Sequence, residues 1–268
     1  MGLSINTNIA GMGAHRSINK SSGLLGRALE KMSSGLRINR AADDAAGLAI
    51  AEHFTSGIRE AQTESRGIQS GINAARTAEG GLEVQQQAVQ RIRDLAVQAS
   101  NGTLSDDNRA ALNQEVQQLR EQIESVSQDT EFNGQQLLDQ DRTIDVNAQG
   151  SLSLEISGST NADLGLDTTD ISTAQGAQDA IAAADAALQS ISTNRANLGA
   201  QSNRFESAIE TRQVRAENET AARSAILDAD MAKVTMERTR NQILLQSGMS
   251  ALMQSNVTNQ NALSLLGG

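Results

Sequence analysis

Aromatic side chains are almost absent from this sequence of 268 residues, which has three phenylalanines, no tryptophan and no tyrosine. A core without aromatic rings is filled by alanine, leucine, isoleucine and valine, which suit thin layers of helices better than a thick globular interior. Proline is absent too, so no residue interrupts a helix by removing a backbone donor. Together these absences predict an elongated, mainly α structure with long unbroken helices.

Cysteine and long apolar runs are also missing. Without cysteine neither a disulfide nor a thiolate metal site can form. No stretch approaches the ~18 apolar residues that a membrane span needs. The net charge of −10 argues against nucleic acid as a partner, because binding the phosphate backbone needs a basic face. The first residues show no basic segment followed by an apolar run, so no secretory signal peptide is expected.

Few side chains in the sequence are suited to catalysis. The two histidines, His15 and His53, lie far apart and in no metal-ligand spacing. Asp43 and Asp44 are neighbours, but consecutive residues of a helix point about 100° apart, so their carboxylates do not converge on one ligand. The sequence therefore predicts no enzyme, no metal site and no cofactor site.

Apolar residues recur about every 3.5 residues in three segments, which is the condition for a coiled coil. The clearest series advances by four and three from Ala177 to Ala216, with Arg195, Ser202 and Arg212 as interruptions, and predicts a helix over 174–222. Two further series predict two more helices: Leu112, Val116, Leu119, Ile123 and Val126 in one, and Ile68, Ala75, Leu82, Val89 and Ala96 in the other. Three long helices with facing stripes predict a bundle.

One segment alternates apolar and polar residues instead. Ile144 and Val146 precede the sequence "NAQG", and Leu152, Leu154 and Ile156 follow it. This pattern predicts one small β-hairpin near 142–157. Upstream, Asn133-Gly134 is a turn signal.

Both ends of the chain carry amphipathic helical stripes. Near the start the stripe includes Ile18, Leu25, Met32 and Leu36, and near the end it includes Leu245, Met249 and Leu252. The last 28 residues, from Asn241, carry no charge at all. Helices exposed to water usually carry charge, so this segment is expected to be buried in an assembly or to line a pore. A frayed, low-complexity tail is the alternative.

Eight segments of the sequence carry recognisable motifs: "INTNIAG" at 5–11, "KMSSGLRINRAADDAAGLAIAEHF" at 31–54, "GINAARTAEGGLEVQQQAVQRIRDLAVQASNGTLSDDNR" at 71–109, "TEFNGQQLL" at 130–138, "LGAQSNRFES" at 198–207, "AILDADMA" at 225–232, "NQILLQSG" at 241–248 and "NALSLL" at 261–266. These motifs resemble those of bacterial flagellins, and they occur in that family's order.

The resemblance implies that residues 1–44 and 224–268 pair as a coiled coil in the inner tube of a filament, with 45–223 as a helical bundle. The large outer domains of many flagellins are expected to be missing, because 164–181 leads directly from the hairpin to the returning helix. Inner-tube assembly contacts are expected at Ile18, Leu25, Met32, Leu36, Leu245, Met249, Leu252, Leu263, Leu265 and Leu266. The C-terminal helix is similar to the family's channel-lining helix.

The implied function is that of a structural subunit of the flagellar filament used for swimming. Members of the family are exported unfolded through the flagellar channel without a cleaved signal peptide, and they fold on polymerisation outside the cell. The implied partners are copies of the chain itself, an export chaperone, and the cap and hook-filament junction proteins. A hook-filament junction protein is the alternative, although Ala45 and Ala46 stand where those proteins typically have a proline. A chemoreceptor-like signalling hairpin is a second alternative, but it would carry a membrane span.

Three further sets of residues follow from the resemblance. The segment 90–97 is similar to the one contacted by the flagellin-sensing Toll-like receptor, which implies a recognition surface at Gln90, Arg91, Leu95 and Glu115. The terminal leucines also resemble those read by a cytosolic flagellin sensor. A joint between inner tube and bundle is expected at Arg40, Asp43, Asp44, Asp228 and Asp230, with the hypothesis that Arg40 faces the aspartates.

Overall fold

The computed structural model describes residues 7–147 and 150–266, and at residues 259 and 262–266 it describes the backbone only. In this part of the chain the elements follow in the order α1 (Ile9–Ser34), α2 (Ala45–Ala99), α3 (Asp106–Asp129), β1 (Glu131–Phe132), β2 (Gln135–Gln136), β3 (Arg142–Asp145), β4 (Ser153–Ile156), α4 (Ala174–Leu227) and α5 (Met231–Leu266). The predicted mainly α bundle with paired terminal helices is confirmed.

The chain divides into two compact units. The terminal unit comprises Met1–Ile58 with Glu217–Gly268, and the bundle unit comprises Arg59–Ala216. The long helices α2 and α4 each contribute residues to both units. The boundaries at 44 and 224 that the family resemblance implies remain a proposal.

The core of the bundle unit is formed by the apolar stripes of α2, α3 and α4. Every residue of the heptad series from Ala177 to Ala216 is buried or half-buried, and so are the five residues of the series from Leu112 to Val126. Phe205 is the largest fully buried side chain and lies among isoleucines and leucines of the same cluster. The 3.5-residue period thus identified the packed face of each helix.

The arginines that interrupt the heptad series of α4 pair with acids of α2. Arg212 Nε lies 2.6 Å from Glu64 Oε2, and both side chains are largely buried. Arg195 lies 3.5 Å from Glu79 and also donates to the amide oxygen of Gln86 at 2.6 Å. Because each guanidinium meets an acceptor on the facing helix, the seam between α2 and α4 tolerates charge at these positions.

Two antiparallel hairpins follow α3. The predicted hairpin is confirmed as β3 and β4, with Ile144 opposite Leu154 and Arg142 opposite Ile156. The other, β1 with β2, has two residues in each strand and was not predicted. It turns at Asn133 and Gly134, which both have positive φ, as a tight two-residue turn requires.

The β3–β4 hairpin packs on α2 where that helix has glycines one turn apart. A Cβ added at Gly67 would lie 2.6 Å from the carbonyl oxygen of Val146, and one added at Gly71 would lie 2.4 Å from a methyl group of Val146. Real Cβ atoms do not approach other atoms this closely. These two glycines therefore let the hairpin backbone reach the surface of the helix.

Candidate functional site

The terminal unit is built on an antiparallel pair of α1 and α5. Along each helix one series of buried and half-buried positions advances by three and four residues, and we call the positions of these two series the α1–α5 seam. On α1 the series is Gly11, Ala14, Ile18, Ser21, Leu25, Ala28 and Met32; on α5 it is Val234, Arg238, Asn241, Leu245, Gly248, Leu252 and Ser255. This spacing is that of a two-stranded coiled coil.

The seam contains five of the ten predicted assembly residues. Ile18, Leu25, Met32, Leu245 and Leu252 occupy seam positions and are half-buried, as is Leu36 just beyond α1. Met249 is 44% exposed and lies outside the seam, where Gly248 takes the corresponding position. Leu263, Leu265 and Leu266 fall outside the side chains that the structure describes.

Polar contacts close both ends of the α1–α5 pair. At one end the Asn8 side chain caps α1 by accepting from the Gly11 N–H at 2.7 Å. The same side chain accepts from Ser255 Oγ at 2.8 Å and donates to Asn256 Oδ1 at 3.2 Å. At the other end, the backbones of Leu36 and Asp228 form a β-bridge. The register of the two helices is thus the same at both ends.

The neighbouring carboxylates of Asp43 and Asp44 accept hydrogen bonds from two different segments of the backbone. Asp43 Oδ2 accepts from the backbone N–H of Asn39 and of Arg40, at 3.2 and 3.1 Å. Asp44 accepts from the N–H of Gly47 at 2.9 Å at the start of α2, which is the geometry of a helix N-cap. Each carboxylate therefore stabilises a local turn, and the two do not converge on a ligand.

The electrostatic environment of Asp43 follows from these contacts. The N–H of Asn39 is the largest influence that holds the pKa of the Asp43 carboxyl below its ordinary value of 3.8, and it outweighs an opposing desolvation. The N–H of Arg40 and the nearby cations Lys31 and Arg27 lower this pKa further. Hydrogen bonds to the charged form of a carboxylate favour that form.

Asp228 and Asp230 are likewise bound locally. Asp230 Oδ1 accepts from the N–H of Ala232 at 2.9 Å and of Lys233 at 3.2 Å, and so caps α5. Asp228 accepts from the hydroxyl of Ser224 and bridges to Leu36 through its backbone.

The position of Arg40 bears on the hypothesis that its charge faces the aspartates. Its side chain is 69% exposed, and its Nε lies 2.9 Å from Glu30 Oε1. Arg40 bonds to Asp43 through its backbone: its N–H donates to Asp43 Oδ2 at 3.1 Å, and its carbonyl oxygen accepts from the Asp43 N–H at 2.9 Å. Within the described residues of a single chain, the guanidinium thus pairs with Glu30 on α1 and forms no ion pair with the four aspartates.

The predicted recognition residues lie in the bundle unit. Arg91 on α2 pairs with Glu115 on α3, with Nη2 2.7 Å from Oε1, and both side chains are about half exposed. Gln90 is exposed beside them. Leu95 is only 1% exposed and belongs to the core, so it supports this surface from below rather than forming part of it.

Gly248 and Asn241 are two of the seam residues that were not singled out from the sequence. Gly248 lies against Ile18, and a Cβ added there would be 2.9 Å from Ile18 Cγ1. Asn241 is 4% exposed, and its Oδ1 has no hydrogen-bond partner among the described atoms. Both could have been predicted by continuing the alternating spacing of four and three residues from Val234 along α5, even where it reaches a polar residue or a glycine.

Neither a metal centre nor a membrane segment emerges from the described residues. They contain no cluster of three or more histidine, aspartate or glutamate side chains that could hold a metal ion. None of their helices is both long and apolar enough to cross a membrane.

Comparison with known proteins gives matches along nearly the whole chain. Residues 5–143 match the family model described as the bacterial flagellin N-terminal helical region, and 181–266 match the bacterial flagellin C-terminal helical region. The flagellin of Halalkalibacterium halodurans is 44% identical over 98% of this chain and 99% of its own length. Flagellin FlaB1 of Treponema pallidum is 37% identical, and the flagellin of Bacillus subtilis is 35% identical.

Among solved structures, the crystal structure of Bacillus cereus flagellin is 28% identical, with a TM-score of 0.49, and covers 55% of this chain and 88% of its own. The family assignment rests on the two sequence models and on identity that extends from end to end of the H. halodurans relative. Only residues 157–173 lie between β4 and α4, so no large outer domain is inserted there. The chain belongs to the bacterial flagellin family.

Proposed function

We propose that this chain is the structural subunit of a bacterial flagellar filament and that it polymerises through the α1–α5 pair. The observation that carries the proposal is the apolar surface of the terminal unit. It holds twelve of the fifteen large apolar side chains that are exposed in the described part of the chain: Ile9, Met12, Leu24, Leu29, Ile50, Met231, Met236, Ile243, Leu244, Met249, Met253 and Val257.

Exposing this apolar surface to water is unfavourable, and burying it between subunits is favourable. Complete burial of one such side chain contributes ~1.5–3 kcal/mol, so their burial between subunits can offset the loss of conformational freedom on ordering the helices. Exposed apolar patches of this extent mark interaction sites in soluble proteins. The terminal unit is thus built to be completed by other copies of the chain.

The layered arrangement is part of the same proposal. Residues 1–44 with 224–268 would form the inner tube, and 45–223 the surrounding bundle. The seam residues Ile18, Leu25, Met32, Leu245 and Leu252 hold α1 against α5. Met249 and, by the family resemblance, the terminal leucines would make contacts between subunits or with the channel. The aspartates at 43, 44, 228 and 230 would cap the turns of the joint between the layers.

The route of export and the partners are also proposed. The subunit would leave the cell unfolded through the flagellar channel, meet an export chaperone before export, and add to a filament bounded by cap and hook-filament junction proteins. The bacterium would use the extracellular filament for swimming, and no catalytic step is required. Among the curated relatives, a Treponema maltophilum protein is named a flagellar filament core protein.

The recognition surface is proposed for Gln90, Arg91 and Glu115, with Leu95 as its buried support. The exposed Arg91–Glu115 pair joins α2 to α3 and offers a planar guanidinium to a partner. Arg91→Ala is expected to lower signalling in cells that report the flagellin-sensing Toll-like receptor. Arg93→Ala, which breaks a half-exposed pair with Asp185, is the matched control and should leave signalling unchanged.

Seeded polymerisation followed by electron microscopy tests the filament proposal. The chain is expected to form tubes of flagellar diameter, and Ile243→Ser with Met253→Ser should abolish them, since these two side chains are 57% and 63% exposed. Val84→Ser with Val97→Ser, on the bundle unit, is the control and should polymerise. If the unchanged chain formed no tubes, the filament function would be refuted; tubes from the Ile243/Met253 variant would refute the role of α5.

A further inference from the structure

The α1–α5 seam alternates large and small residues in a complementary way. On α1 the large residues Ile18, Leu25 and Met32 recur every seven positions. Because the helices are antiparallel and Ile18 lies on Gly248, these three are level with Gly248, Asn241 and Val234 of α5. The small residues Ala14, Ser21 and Ala28 are level with Leu252, Leu245 and Arg238 by the same count. Large side chains thus face smaller ones throughout the pair.

Gly248 is the position where this complementarity is tightest. A Cβ added there would lie 2.9 Å from Ile18 Cγ1, closer than real side chains approach. The second seam glycine, Gly11, lies one heptad from Ile18 and is level with Ser255. The two glycines are therefore staggered by one heptad, and in this register neither faces the other.

A slip of one heptad would bring the two glycines together. Moving α1 by seven residues along α5 places Gly11 opposite Gly248 and leaves a void where Ile18 now packs. The same slip breaks the bonds of Asn8 to Ser255 and Asn256. It also places Ile18 against the buried Asn241, whose Oδ1 already has no partner among the described atoms. Voids of this kind destabilise a packed seam.

We propose that Gly248, by receiving Ile18, is the residue that sets the register in which α1 and α5 pair. The proposal rests on the proposed function, since it specifies how the terminal pair used for assembly is aligned. If position 248 carried a large side chain, the native register would be overpacked, while the slipped register would place that side chain over Gly11. Gly248→Ile is therefore expected to shift the pair by one heptad.

Disulfide cross-linking measures the register directly, because the chain has no cysteine of its own. Ser22 and Gln242 lie two heptads from Asn8 and Asn256, whose side chains are bonded, so Ser22→Cys with Gln242→Cys reports the native register. His15→Cys with Gln242→Cys reports the slipped one. In the native register His15 is displaced by one heptad, roughly 10 Å along the helix, which is beyond the reach of a disulfide.

The reporter pairs are oxidised in the full chain before and after seeded polymerisation, and intramolecular bands are separated on gels. With Gly248 intact, Ser22–Gln242 should cross-link and His15–Gln242 should not. Gly248→Ile should lower the yield of the Ser22–Gln242 cross-link by about tenfold and raise that of the His15–Gln242 cross-link. This is expected because overpacking destabilises the native register, whereas the slipped register accommodates the isoleucine. Adding Ile18→Ala should restore the native product. Ser247→Ile, on the exposed neighbouring position, is the control and should leave the native product unchanged.

Three outcomes would overturn the proposal. In the first, Gly248→Ile leaves the yield of the Ser22–Gln242 cross-link unchanged. In the second, Gly248→Ile abolishes both cross-links and Ile18→Ala does not restore the Ser22–Gln242 one. In the third, neither cross-link forms when Gly248 is intact. A chain that cross-links in the native register but forms no filaments would count against the proposed function and leave the register assignment standing. The two failures are therefore distinguishable.

Discussion

Replacing Gly67 by alanine tests whether the β3–β4 hairpin is held by close approach to α2. In a helix interior, glycine to alanine normally stabilises by up to ~1 kcal/mol. At Gly67 the added methyl would meet the Val146 carbonyl oxygen at 2.6 Å. Forcing extra volume into a packed contact costs ~1–3 kcal/mol, which exceeds the helical gain. Gly67→Ala is therefore expected to destabilise the bundle unit.

Gly80→Ala is the matched control, since Gly80 lies in the same helix and nothing lies within 4 Å of its added Cβ. It should stabilise, so the two variants should differ by about 2 kcal/mol, or ~4–8 °C in Tm for a unit of this size. Far-UV circular dichroism of the monomer during heating measures the difference, because the chain has no tryptophan or tyrosine for fluorescence. Equal shifts of Tm in the two variants would refute the close-approach argument.

Three further predictions concern carboxylates with different partners. Glu64→Ala should cost about 3 kcal/mol in the free energy of unfolding by urea because it strands the largely buried Arg212, whereas Glu60→Ala, whose partner Arg215 is half exposed, should cost less than ~1 kcal/mol. Asp230→Ala should remove the cap of α5 and cost ~1 kcal/mol of filament stability in thermal dissociation, while the exposed Asp94→Ala should change little. The pKa of Asp43 is lowered in the folded chain, so its carboxylate stabilises the fold above the unfolded pKa, and this stabilisation is lost as the pH falls through the folded pKa, which lies below 3.8. The backbone amide shifts of Asn39 and Arg40, measured by NMR, should titrate in that pH range. Asp43→Asn should abolish the titration.

The heptad spacing predicted the helices of the bundle unit and their packed faces. The series from Leu112 to Val126 lies within α3, and the series from Ala177 to Ala216 lies within α4. It succeeded because a sustained 3.5-residue period can be satisfied only by a helix that faces a partner along its length. The β1–β2 hairpin was missed because two residues per strand are too few to show alternation.

The packed positions of the α1–α5 seam could be predicted from the sequence only where they carry large apolar side chains. Ile18, Leu25 and Met32 were found because they are apolar and seven apart. Gly248 was missed because a glycine contributes nothing to an apolar stripe, even where a side chain of the facing helix packs against it. Met249 lies outside the seam, and its role in assembly stays a prediction. The partner of Arg40 depends on how α1 ends and the chain turns back, which the spacing of charges along the sequence does not encode.

The part of α5 that follows Arg240 has no charged side chain, so it responds to ionic strength differently from the rest of the chain. The last charged residue is Arg240, so the whole net charge of −10 resides on the rest of the chain. Added salt screens the repulsion between copies and the exposed ion pairs of the bundle, whereas residues 241–268 have no charged side chain for it to screen. Excluded salts such as sulfate also strengthen apolar burial. Salt thus becomes an external control that drives subunits together through their least charged segment.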